Sequence, residues 1–226
     1  MVSVYSDITE LVQAQNRVQQ MVSQSVAVFV RAIEAIDPYL CGQSSFMAQL
    51  AVTLAHCLGV NDDATESTLR TAASLSQVGM IQLPKELLTK AGVLTDDERR
   101  KLHKHVEYAR AALSGIDFGL PVLPAITQMY ERLDGSGYPA GLKGDEICFN
   151  ARLLAVANTF CALARPRSYR AACNTEKMLS ILSVEPAQYD PGIVQALREF
   201  LLTESGERFM RQLQGGADAE VSGGGA

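Results

Sequence analysis

The chain has 226 residues, 47% of them hydrophobic, and a formal net charge of -5, so it carries enough apolar material for one sizeable core and no basic field to offset nucleic-acid phosphates. No apolar run reaches the roughly 18 to 20 residues of a membrane span, and the first residues lack the basic start and apolar stretch of a secretory signal. Five cysteines without a C-x-x-C pair read as reduced thiols, which sets the expected compartment as the cytoplasm.

In chain order, the first periodic feature is a seam of Leu11, Val18, Val22, Phe29, Ile33 and Ile36, spaced by seven, four, seven, four and three, with glutamines and Asn16 between them. It fits one amphipathic helix packed on its own bundle or a parallel dimer helix carrying a signal; its length favours the dimer. Phe46, Met47, Leu50, Ala51, Leu54, Ala55 and Leu58 predict a helix closed by Gly59, and Leu69, Ala72, Ala73 and Leu75 predict a second. Thr95-Asp96-Asp97-Glu98 is a capping box that should start a helix running to about Leu113. A helix near Pro124 to Tyr130 leads into a loop from Asp134 to Gly144, whose glycines and Pro139 forbid regular structure. Asn150 is the expected N-cap of a helix through Ala164, Asn174 or Thr175 starts another, and Pro191 opens a last one ending near Leu202. From Gly206 the polar, glycine-rich chain reads as a flexible tail.

The motifs carry more than the periodicity. Tyr130-Glu131-Arg132-Leu133-Asp134-Gly135-Ser136-Gly137-Tyr138-Pro139-Ala140-Gly141-Leu142 resembles the HD-GYP signature HHExxDGxGYPxGL, with Met129 and Tyr130 in place of both histidines. Leu75-Ser76-Gln77-Val78-Gly79-Met80-Ile81 resembles L-H-D-I-G-K-I, Pro38 to Ser44 resembles Y-T-x-G-H-S with Gln43 at the histidine, and Val156 to Leu163 resembles V-A-D-x-F-D-A-L with Asn158 and Cys161 at the aspartates. His105 alone matches a family metal ligand. The resemblance spans about Asp37 to Leu202 and implies an all-α, HD-type helical bundle preceded by a dimerisation or signalling helix. Val4 to Glu10 resembles the closing strand and exit of a PAS sensor domain, which would make the chain a piece of a longer receptor. The resulting division is 1–36 exit strand and signalling helix, 37–205 HD-GYP-like domain and 206–226 tail.

Members of the family that this chain resembles are metal-dependent phosphodiesterases acting on cyclic di-GMP. Here amides, a hydroxyl, a thioether and a phenol stand at Gln43, Ser76, Gln77, Met129, Tyr130 and Asn158, which leaves too little charge for a divalent pair. His103 and His105, two apart, should point to opposing helix faces, and the cysteines show no zinc spacing. The expectation is therefore no metal, no cofactor and no catalytic residue: an inactive HD-GYP-like regulatory module acting through protein contacts. It would be a homodimer, with GGDEF or other signalling domains as partners, no nucleic acid and no membrane span. The alternatives are a metal-dependent phosphodiesterase or nucleotide hydrolase with a non-standard site, and a cyclic di-GMP-binding effector without hydrolysis. Arg167 and Arg170 resemble the family's phosphate contacts, with Arg165 adding charge nearby. Asp134, Gly135, Gly137, Tyr138 and Pro139 form the expected partner-binding loop.

Overall fold

A computed structural model describes residues 42–90, 92–165, 173–183 and 188–215, and within them every regular element is helical. The leading segment with Leu11, Val18, Val22, Phe29 and Ile33, and the phosphate-contact candidates Arg167 and Arg170, lie outside the described residues.

Two helices that are apolar nearly all round form the centre, as an interior helix must. α1 (Gln43–Cys57) buries Met47, Leu50 and Leu54, and α7 (Phe149–Ala164, numbered in chain order with those below) buries Leu153, Leu154, Val156 and Phe160. They pack on each other and on α2 (Asp63–Leu75), whose N-cap Asp62 accepts the Thr65 amide at 2.8 Å. A 3-10 turn (Val78–Gln82) follows, then short α3 (Lys85–Leu88), α4 (Asp96–His103), α5 (His105–Leu113) and α6 (Val122–Gln128). At Gly79 an added Cβ would lie 1.9 Å from the His105 carbonyl oxygen, so only glycine brings the 3-10 turn this close to α5. After α7 come α8 (Thr175–Leu182), capped by Asn174 onto the Lys177 amide at 2.8 Å, then α9 (Pro191–Leu201), capped by Asp190, and α10 (Glu204–Gly215). No helix among the described residues is long and apolar enough to cross a membrane.

Three local expectations are corrected. The capping box at Thr95 forms, but its helix stops at His103 and a new one starts at His105. At the break the Lys104 amide bonds back three residues to Lys101, while the His105 ring takes the Leu102 carbonyl at 2.7 Å. α7 starts two residues earlier than expected, at Phe149, with Cys148 as N-cap and its amide donating to Gln128 Oε1 at 2.8 Å. The expected tail is helical through Gly215. Phe209 and Leu213 are buried, Phe209 meets Phe46 edge-on at 5.9 Å, and Gly206 packs where a Cβ would sit 2.1 Å from the Phe200 carbonyl.

Candidate functional site

The residues matched to the family's ligand positions come from the first turn of α1, the end of α2, the start of α5, the end of α6 and the middle of α7. Gln43, 3% exposed, donates from Nε2 to Asn158 Oδ1 at 3.0 Å and so joins α1 to α7. Gln77 is 4% exposed, and the His105 ring meets Tyr130 edge-on at 4.7 Å. Ser76 is turned back into its own helix, its hydroxyl donating to the Ala73 carbonyl at 2.8 Å. Met129 is a core side chain.

The electrostatics follow from burial. His105 is 1% exposed, and burial pushes its pKa down to about 4 against the opposing hydrogen bond to Leu102, with the nearby His103 lowering it further. It is neutral at pH 7, Nδ1 donates to Leu102, and Nε2 is a buried lone pair with no protein partner. Burial pushes the Tyr130 phenol and the Cys161 thiol each up to about 12, so both keep their protons. Where the family places two divalent ions, this chain offers one neutral imidazole, amides, a hydroxyl, a phenol and a thioether. No carboxylate replaces those lost, and no group of three or more His, Cys, Asp or Glu among the described residues could hold a metal ion. These residues do not fit the family's metal pair.

The glycine loop is built differently. Glu131, 2% exposed, accepts the Ala140 amide at 2.7 Å on Oε1 and the Leu142 amide at 3.1 Å on Oε2, pinning the loop from beneath. Asp134 accepts both the amide (2.9 Å) and the hydroxyl (2.7 Å) of Ser136, which folds the first turn, and Gly135 follows it at φ 82°. Gly137 lies where a Cβ would sit 2.4 Å from Glu131 Cα and from the Arg132 nitrogen. The Leu133 amide donates to the Gln188 carbonyl at 3.0 Å, and the Arg132 guanidinium covers the Tyr189 ring at 4.6 Å. Sequence reasoning named Asp134, Gly135, Gly137, Tyr138 and Pro139 and missed Glu131, whose signal is a carboxylate directly ahead of a glycine-rich loop.

Loop and pocket meet through stacked rings. His103 lies flat on Tyr138, centroids 3.6 Å apart and planes at 7°, and Tyr138 stacks on Tyr130 at 5.3 Å. His105 also meets Tyr138, edge-on at 6.2 Å. The two histidines therefore approach one ring instead of facing apart, because the break at Lys104 ends the helical phase between them. Arg165 is buried.

Comparison with known proteins gives a consistent picture. The family described as HD domain matches residues 16–193. The chain is 33% identical over 83% of its length to the cyclic di-GMP phosphodiesterase response regulator RpfG of Xanthomonas campestris, covering 50% of that protein. It is 33% identical over 78% of its length to the 3'3'-cGAMP-specific phosphodiesterase 3 of Vibrio cholerae, covering 38% of it. The chain thus spans half or less of the length of these relatives. Among solved structures, Bd1817, an HDG"Y"P protein from Bdellovibrio bacteriovorus, superposes with a TM-score of 0.55 at 17% identity, over 71% of this chain and 52% of that one, which shows the shared fold.

Proposed function

Because the chain belongs to the HD-domain family and is homologous to cyclic-dinucleotide phosphodiesterases over most of its length, we propose that it is a phosphodiesterase-class domain that takes a cyclic dinucleotide at a non-standard site. The observation that carries this reading is the 33% identity to a cyclic di-GMP phosphodiesterase over 83% of the chain. The intact, Glu131-pinned loop beside the buried polar cluster supports it. The expectation of an inactive module working through contacts alone is corrected by these relatives, which are named as phosphodiesterases.

The pocket's own chemistry is neutral and polar. The Gln43, Gln77 and Asn158 amides can meet base edges and phosphate oxygens, and the His105 lone pair a ribose hydroxyl, without a carboxylate to repel an anionic ligand. No step is derived through a metal pair that these residues do not fit. The test uses the full chain with cyclic di-GMP and 3'3'-cGAMP, following the linear product by chromatography and binding by calorimetry. Turnover above the protein-free control, reduced by His105→Ala, is the expected result. A chain that neither converts nor binds either nucleotide refutes the reading.

A further inference from the structure

At the positions the family gives to metal ligands, the side chains of this protein are satisfied by one another, by backbone carbonyls or by the apolar core. Gln43 and Asn158 are 115 residues apart in sequence, sit on the two central helices, and are joined by a 3.0 Å amide–amide hydrogen bond. Ser76 bonds the Ala73 carbonyl, the His105 Nδ1 donates to the Leu102 carbonyl, the His105 ring meets Tyr130 edge-on at 4.7 Å, and Met129 belongs to the apolar core. The buried atoms of this region without a protein hydrogen-bond partner are Ser44 Oγ, Gln77 Oε1 and His105 Nε2. A hydroxyl, an amide oxygen and one imidazole supply no thiolate or carboxylate, the anionic ligands that zinc and magnesium-like ions take from proteins.

We propose that the Gln43–Asn158 amide pair is a metal-independent clamp: it ties α1 to α7 as ions and carboxylates do in a metal-loaded site, and the pocket keeps its shape without a transition metal. A carboxylate-lined site repels itself when its ion leaves. A neutral amide pair has no such charge to compensate, so chelation has nothing to release. The inference stands on the side-chain network and not on the substrate. Metal content and stability, read without nucleotide, can therefore fail while turnover stands, and the reverse.

The test takes the purified full chain, dialysed against chelator, through elemental analysis. Thermal unfolding follows with EDTA and with added Mn2+, Fe2+ or Zn2+. Sub-stoichiometric metal and one unchanged midpoint are expected. Gln43→Ala and Asn158→Ala should each lower the midpoint by about 2 to 4 °C, as losing one hydrogen bond does in a domain of this size. The double variant should fall no further than the worse single one, since the pair acts as a unit. Iron, manganese or zinc retained near one ion per chain, a midpoint lowered by EDTA, or additive single effects would each overturn the proposal. If the alanine variants do not fold, the metal and chelator readings on the unaltered chain decide it.

Discussion

The glycine loop and the polar pocket are neighbours joined through Tyr138 and Tyr130, yet what holds each in place differs in kind. In the loop the constraints act on the backbone: a buried carboxylate grips two amides, and Gly137 lies against the chain it crosses. In the pocket they act on side chains, and any set that satisfies its buried polar atoms can fill the space. The loop accordingly matches the family signature residue for residue, whereas the pocket replaces imidazoles and carboxylates with amides and a phenol. A residue needed for backbone geometry has few substitutes. A residue needed for side-chain chemistry can be exchanged once that chemistry is altered.

The sharpest way to break this contrast is within the loop itself. At Gly137 an added methyl would come within 2.4 Å of backbone atoms, so Gly137→Ala forces the chain to move and should cost about 3 kcal/mol or more in denaturant unfolding. Gly144 has φ 49° but open space around it, and Gly144→Ala should cost about 1 kcal/mol. Equal losses at the two positions would show that close approach is not what fixes the loop.

What could be read in the sequence follows the same division. The central helices were legible because the apolar periods of Met47–Leu54 and Leu153–Phe160 are local, as were the Thr95–Glu98 capping box and the Asn174 cap. The break at Lys104 was not, since it accompanies a bond between the His105 ring and a carbonyl that no local propensity encodes. Helix α10 was hidden because Phe209 and Leu213 sit among polar and glycine residues and acquire meaning only in the core, Phe209 against Phe46 and Phe200. In the site, the substituted ligand positions could be read from the family pattern, but the pairing of Gln43 with Asn158 could not. Glu131 was overlooked because its partners are backbone amides nine and eleven residues onward.

The pocket's stability should depend on pH through His105. Burial holds its folded pKa near 4, below the ordinary value of 6.5, so between those limits the unfolded chain binds the proton and the folded chain does not. Stability is complete above about pH 6.5 and is lost as the pH falls through about 4. The loss should be on the order of 3 kcal/mol, given about 1.4 kcal/mol for each tenfold change in proton affinity. Carboxylates titrate in the lower part of this window, so the difference between the parent chain and His105→Gln isolates the histidine. Parallel curves of midpoint against pH would mean that the imidazole is hydrated and the pocket more open than described.

The smallest effect concerns the link between the two regions. Burial and then the Arg99 charge hold His103 below the usual imidazole range, so near pH 7 the ring on Tyr138 is neutral and the contact is stacking without a cation's contribution. Such a pair is worth about 0.5 to 1.5 kcal/mol beyond its buried area. His103→Ala should destabilise by about that amount in the parent chain and by little once Tyr138→Leu has removed its partner, giving a coupling energy of similar size in a double-mutant cycle. Because Tyr138 also stacks on Tyr130, Tyr138→Leu should in addition shift the acid midpoint set by His105, whereas His103→Ala should shift it less. Additive losses, or an acid midpoint that ignores Tyr138, would show that loop and pocket are adjacent but energetically separate.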